Sequence, residues 1–366
     1  MLSFAGFFSF FLILSIIVFI HEYGHYIVAK FFKVKVESFS IGLGPEIFGL
    51  NDKSGTRWKL SLVPLGGYVK MLGDTNEASV STAEKELTDE ERLHAFCTKP
   101  LYQKSAIIFA GPFANILLAI VVLTVLFFNK GSNNIQPIVG NIVENSPAQE
   151  AGLLPGDSIT YMNGHKIKHF DDIVRMVLLN PPEEKIEIQY QRNKEEYKAD
   201  LKPRIIEGED AFGNIIKKQS IGITSTNLVE FKSLSIFASI NKAIEETYHM
   251  VYSTAISIYQ LISGKRSVDE IGGPIKIAMY SGQSAKKGIF TTLYFLALIS
   301  VNIGVINLLP IPILDGGHLF QYMIEGLFRR RVSIRYQKYA AAVGISILFS
   351  LMAIAVFNDV KYLFMS

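Results

Sequence analysis

Apolar residues along this chain collect into long, nearly uncharged runs separated by mixed and polar stretches. Four runs approach or exceed the about 20 residues an α-helix needs to cross a bilayer: 4–32, 105–128, 289–309 and 339–357. Polar residues within the first run cluster near one end, which a span tolerates when they line a buried site. The alternative for that end is a short anchor followed by a soluble helix. Residues 33–104 form a mixed loop. Within it, 58–71 alternate partly between apolar and polar positions and turn at Gly66-Gly67, a pattern that reads as a β-hairpin. Residues 75–92 are polar and acidic and read as solvated helix or loop.

Residues 129–288 form a soluble region. Its first half has strand-like runs at 138–143 and 186–191, with turns at Pro155-Gly156-Asp157 and Asn163-Gly164. Its second half, 234–262, is rich in Ile, Tyr and Ala with sparse charge. That pattern predicts an amphipathic helix, docked on the membrane surface or on the soluble domain.

Composition agrees with spans joined to a soluble domain. The chain has 366 residues, 49% of them hydrophobic, and a positive mean hydropathy. A net charge of +3 is too small to argue for nucleic acid. Cys97 is the single cysteine, so no intrachain disulfide forms, and a thiolate metal site is disfavoured. The first run lacks the basic stretch that precedes the core of a cleaved signal peptide. Its apolar character also continues to Ala29, so it reads as a retained helix.

The end of that run carries His21-Glu22-Tyr23-Gly24-His25. On a helix, HExxH puts two imidazoles on one face at i and i+4, spaced to share one Zn²⁺. The glutamate is left beside the metal to activate water. A catalytic zinc takes a third protein ligand. The remaining histidines are His94, His165, His169, His249 and His318. The first four fall in solvated or amphipathic stretches. A better candidate is Asp315, in the apolar stretch Asn307-Leu-Leu-Pro-Ile-Pro-Ile-Leu-Asp315-Gly-Gly-His318. An ionisable side chain at membrane depth is costly and functional by default. Asp315 as a helix N-cap just outside the bilayer is the alternative, and His318 competes as a ligand. Pro310 and Pro312 predict extended backbone beside this acid. Asn307 reads as a hydrogen-bond donor to substrate or oxyanion, or as a helix–helix bond.

HExxH in the first run together with NxxPxPxLDGG in the third resembles the site-2 proteases, the intramembrane zinc metalloproteases. Phe39-Ser-Ile-Gly-Leu-Gly44, Pro64-Leu-Gly-Gly-Tyr-Val-Lys70, Gly111-Pro-Phe-Ala-Asn115 and Gly272-Gly-Pro-Ile275 resemble its bacterial branch, which regulates envelope-stress sigma factors. The resemblance covers essentially the whole chain. It implies His21, His25 and Asp315 as zinc ligands, Glu22 as general base, and Asn307 with Pro310 and Pro312 on the substrate. It implies a membrane-re-entrant β-element whose Gly66, Gly67 and Tyr68 meet substrate by strand addition. Its structural alternative is a plain surface hairpin.

The stretch from Asn145 to Gly164 follows an SPAxxAGL…GDxIxxxNG pattern that resembles bacterial PDZ domains, in a single copy. Its expected groove edge is Ile138-Val139-Gly140. The domain would bind peptide C-termini or act as a size filter on substrates, and the family favours the filter.

The implied fold is a multi-pass α-helical membrane protein of about four transmembrane helices, with a membrane-associated β-hairpin and one inserted α+β PDZ domain. Its divisions are a first membrane half (1–130), the PDZ domain (131–228), an amphipathic linker (229–288) and a second membrane half (289–366). Basic residues Arg329, Arg330, Arg331, Arg335 and Lys338 follow the third run, and lysines flank the first loop. Both loops are therefore expected in the cytoplasm, with both termini and the PDZ domain outside the inner membrane. Implied partners are membrane lipid and single-span proteins, namely pre-trimmed anti-sigma factors and remnant signal peptides. A PDZ-containing capture module with a structural metal is the competing function. A transporter is disfavoured by the lack of a visible inverted repeat.

Overall fold

The computed structural model describes residues 4–74, 87–182, 184–209, 215–226 and 230–365. Most of the acidic stretch at 75–92 lies outside them; of its end, Asp89–His94 is a short helix, α2, started by a Thr88–Glu91 capping box. The chain divides into two compact units. One comprises Met1–Leu123, Ala243–Val251 and Ile271–Ser366; the other comprises Thr124–Lys242 and Tyr252–Glu270.

In the first unit the HExxH run forms helix α1, Phe4–Phe31. The following chain forms strands β1, Val36–Asn51, and β2, Arg57–Met71. Helix α3 covers Leu101–Lys130. Among the described residues four helices are long and apolar enough to cross a membrane: Phe8–Phe31 within α1, Leu101–Lys130, Ile289–Asn307 and Arg335–Phe364. These are the four runs read from hydropathy, with ends shifted by a few residues.

The expected hairpin is half of a larger element. Ser38 to Ile41 of β1 pair with Lys70 to Gly67 of β2 and also lie alongside Arg57 to Leu60, which in turn pair with Asn51 to Phe48. The tight reversal between the two strands falls at 52–56, where Asp52 Oδ1 accepts from Ser54 N and Thr56 N, each at 2.8 Å. A second reversal falls between Leu60 and Gly67, where Gly66 has φ +98°. Gly67 itself is paired, opposite Ile41. Its missing side chain serves close approach: a Cβ there would sit 2.6 Å from Ser40 O, 2.9 Å from Val18 Cγ1 and 3.0 Å from Glu22 Cγ. Stacked Phe39 and Trp58, at 4.4 Å between centroids, join the sheet to Tyr26 of α1. Ile47, Phe48, Leu50 and Leu62 of the sheet are exposed.

The second unit carries β3 (Ser132–Asn134) and β4 (Val139–Ile142), the short helix α4 (Pro147–Glu150), β5 (Ser158–Met162), β6 (His165–Lys166) and α5 (Phe170–Leu179). Strands β7 (Ile186–Arg192) and β8 (Glu195–Leu201) complete a sheet of order β6-β5-β7-β8. Then come β9 (Arg204–Glu209), β10 (Ile215–Ser220), β11 (Ile223–Ser225) and β12 (Glu230–Lys232). The SPA motif acts as its residues dictate: Ser146 caps α4, Pro147 opens it, and Gly152 follows its end at φ +76°. Asn163 and Gly164, both at positive φ, join β5 to β6. Asp157 is buried and gripped by Arg192 at 2.7 and 2.8 Å, with Leu154 N donating to it at 2.8 Å. Ile159, Ile186 and Ile188 are fully buried at the centre, each worth about 1.5–3 kcal/mol.

The groove edge expected at Ile138-Val139-Gly140 is not free. Strand β4 pairs with β11 along one side, and Val139 exchanges backbone bonds with Gly156 and Asp157. Ile138 bridges Ser158. A side chain at Gly140 would collide with Ser225 O. The sequence pattern marks a strand there, but which of its edges is spent depends on β11, some 80 residues later.

The predicted amphipathic helix is α6, Ile236–Ile262, capped by Ser235. Gln260 near its end donates to Leu179 O, at the end of α5, at 2.6 Å. A further helix, α7, Pro274–Lys287, was not expected from hydropathy. It packs against α1 and against α8, Ile289–Asn307. Helices α9, Asp315–Phe328, and α10, Ile334–Met365, complete the chain. Buried Asp359 of α10 accepts from Gly273 N and Ile275 N, each at 2.8 Å, which caps α7 and explains the Gly-Gly-Pro-Ile motif.

Candidate metal centre

Helix α1 places His21 and His25 one turn apart, both buried, with Glu22 half-buried beside them. Asp315 arrives from the other end of the chain as the first residue of α9, not as its N-cap, which is Leu314. The donor atoms of His21, His25 and Asp315 all lie within 4.8 Å of one another. His21 Nε2 is 3.1 Å from Asp315 Oδ2, His25 Nε2 is 3.5 Å from Asp315 Oδ1, and the two Nε2 atoms are 3.2 Å apart. Ligand atoms on a tetrahedral zinc, at about 2.0–2.2 Å from it, stand roughly 3.3–3.5 Å from one another. The three separations, 3.1–3.5 Å, come within about 0.2 Å of that spacing. Asp315 Oδ2 is buried without a hydrogen-bond donor, so its charge is left for a cation. Nitrogen and carboxylate donors in this arrangement suit zinc.

His25 Nδ1 donates to Ile107 O of α3 at 2.8 Å, which leaves Nε2 as the nitrogen facing the other donors. Gly111 of α3 lies against both rings, and a Cβ there would collide with His25 Nε2. Asn115, four residues on, meets His21 Nδ1 at 3.2 Å.

The loop before Asp315 is a turn and not the extended backbone expected from Pro310 and Pro312. Leu314 N donates to Ile311 O at 3.1 Å, with Pro312 and Ile313 between them and Ile313 at φ +86°. A proline's fixed φ suits the second position of a turn as well as a strand, and the closing hydrogen bond selects the turn. A branched residue at positive φ costs about 1–3 kcal/mol and persists only where the surroundings impose it. Here they do: side chains at Gly316, Gly317 and Gly344 would collide with Leu309 O, Ile311 O and Pro312 O respectively.

A cavity of about 400 Å³ opens beside the donor cluster. Of the residues expected to meet substrate, Gly66, Gly67, Tyr68 and Asn307 line it, together with His21, Glu22, His25 and Asp315. Pro310 and Pro312 are not among its lining residues; they shape the turn. Ile138, Val139 and Gly140 belong to the second unit. Among the described residues His318 is not part of the donor cluster. The cavity adds Asp74 and Ile313, for which the sequence offered no signal. Asn115 had one, a lone amide inside an apolar run.

The sequence pattern of Peptidase family M50 matches residues 9–351. The chain belongs to peptidase family M50. It is therefore a site-2-type metalloendopeptidase, and zinc is its cofactor. A protein of Rickettsia conorii, provisionally named a zinc metalloprotease, is 40% identical over 366 residues, all of both chains. One of Mesorhizobium japonicum with the same provisional name is 39% identical over 356 residues, 96% of this chain and 97% of that one. Among solved structures, the PDZ domain of the SdrC-like protein Lin2157 from Listeria innocua aligns with 26% of this M50 peptidase and 99% of that chain, at 21% identity and a TM-score of 0.21.

Proposed function

We propose that this M50 peptidase is an intramembrane endopeptidase that cleaves transmembrane segments of pre-trimmed single-span proteins, anti-sigma factors and remnant signal peptides among them. The observation that carries the reading is the donor triad: two histidines inside an apolar helix and an aspartate from a distant helix, at zinc-ligand spacing. His21, His25 and Asp315 hold the metal, and Glu22 lines the adjoining cavity. Zinc, when bound, supplies Lewis-acid polarisation of a carbonyl and acidifies water. Glu22 takes the proton from the attacking water and delivers it to the leaving amine.

Residues Gly66 to Met71 both line the cavity and run along β1. Their outer edge offers backbone groups to an extended substrate, which unwinds to reach the site. Asn307, at the end of α8, hydrogen-bonds the substrate backbone. Pro310 and Pro312 act indirectly, by fixing the turn before Asp315. The exposed Ile47, Phe48, Leu50 and Leu62 contact lipid, so the sheet enters the bilayer. The PDZ domain and both termini lie outside the inner membrane, where the domain screens substrates by size. The site opens toward the cytoplasm.

The test is cleavage of a single-span substrate with a short outer stub by purified protein in detergent, with and without a zinc chelator, alongside Glu22→Gln. The reading requires chelator-sensitive cleavage that Glu22→Gln abolishes while its zinc stoichiometry stays at the wild-type value. Substrate retained but uncut by zinc-loaded wild type would replace the protease with a capture module.

A further inference from the structure

One polar side chain in the apolar run of α3 remains without a role. Asn115 is fully buried, and its side-chain amide meets His21 Nδ1 at 3.2 Å. Its backbone is fixed from α8, where Ser300 Oγ donates to Asn115 O at 2.8 Å. Gly304, one turn beyond Ser300, allows this approach: a Cβ there would stand 3.3 Å from Asn115 Cβ. Ile107, Gly111 and Asn115 are spaced i, i+4, i+8 and form one stripe of α3. Ile107 O holds His25 Nδ1, Gly111 leaves room for both rings, and Asn115 reaches His21 Nδ1. Contacts fall along α3 as they rise along α1, so the helices run antiparallel and each imidazole meets its own partner.

We propose that Asn115 is the positioning residue of His21, its side-chain oxygen accepting a hydrogen bond from Nδ1–H so that the ring presents Nε2 to the metal. This rests on the zinc reading above. A neutral imidazole carries one proton. His21 Nε2 faces Asp315 Oδ2 and His25 Nε2, so a nitrogen that ligates from there leaves the proton on Nδ1, where it needs an acceptor. Ile107 O is that acceptor for His25. For His21 the amide has both chemistries to offer, exchanged by a half-turn about its last torsion. With Nδ2 toward the ring, Oδ1 is buried without a partner. With Oδ1 toward the ring, that oxygen gains a donor and the Nδ1 proton gains its acceptor. Outer partners of this kind fix ring orientation and tautomer and raise ligand basicity.

The test uses the full chain in detergent, stripped of metal and titrated with zinc against a chromophoric chelator, and with cobalt for its visible spectrum. Asn115→Ala should weaken zinc binding by about 10–100-fold and shift the cobalt bands. Asn115→Asp keeps the acceptor and removes the donor, and should retain wild-type affinity and bands. Nitrogen-15 histidine spectra of the zinc-loaded wild type should place the His21 proton on Nδ1. An alanine variant that binds zinc as wild type does, with unchanged bands, would reduce Asn115 to packing and overturn the proposal. So would a folded aspartate variant that fails as alanine does, because the amide would then act as donor. If the alanine variant does not fold, the aspartate variant and the histidine spectra decide. A wild type that takes up no zinc, or a His21→Ala variant that loses none of its affinity, would remove the underlying zinc reading and this proposal with it.

Discussion

Gly111 shows how a missing side chain can be as specific as a ligand. It sits where α3 crosses the two imidazoles, and any Cβ there would occupy the space of His25 Nε2. Alanine is a good helix former, so Gly111→Ala should leave α3 intact while pushing the donor atoms apart. The expected outcome is loss of stoichiometric zinc, read by elemental analysis, with unchanged helical content by circular dichroism. Retained zinc at unit stoichiometry would mean that the rings yield and that their spacing is not imposed by α3. Asp315 teaches a related lesson. It is not the N-cap of α9, yet its place in the first turn still complements the positive end of that helix.

Among the elements, the bent β1–β2 pair carries the most consequence for the site. Gly67 brings the backbone of β2 within reach of Glu22, and the residues on either side of it line the cavity. Gly67→Val would lift this edge from α1. A displacement of about 1 Å at a positioning element can cost on the order of 100-fold in rate. The variant should therefore lose cleavage by that order while binding zinc normally, measured on one preparation. Wild-type turnover by Gly67→Val would detach the sheet from substrate positioning. Local alternation marks only the second strand of this element, 58–71. Residues 36–51 hide their strand character behind three glycines and a proline, because their pairing partners are more than a dozen residues away for most of their length. Helix α7 has low hydropathy because its buried residues are small and partly polar, Ala278, Ser281 and Ser284, and packing against α1 and α8 supplies its stability.

For the whole molecule, the charge asymmetry of the loops sets the proposed orientation across the membrane. The chain contains one cysteine, Cys97, which is partly exposed. In inverted, cytoplasmic-side-out vesicles a membrane-impermeant maleimide should label Cys97, whereas right-side-out spheroplasts should protect it. A Cys97→Ser, Lys198→Cys variant, with its single cysteine exposed on β8 of the second unit, should give the opposite pattern. Labelling of Cys97 from outside would invert the proposed topology.

What the sequence determined by itself is what rests on local spacing and composition. It located the long apolar helices, because hydropathy over about 20 residues is a property of the run alone. It located the paired histidines, because i, i+4 on a helix sets their distance. It also located the turns of the SPA–GD–NG stretch, because proline and positive-φ residues act within a few bonds. The tertiary structure alone decided what depends on residues far apart in the chain. It brought Asp315 to His21 across nearly 300 residues, spent the edge of β4 on β11, and set Pro312 against Gly344. It also set Asn115 against His21. Each of these outcomes depends on which surfaces meet when helices and strands pack, and a spacing rule that spans a few residues carries no information about that meeting.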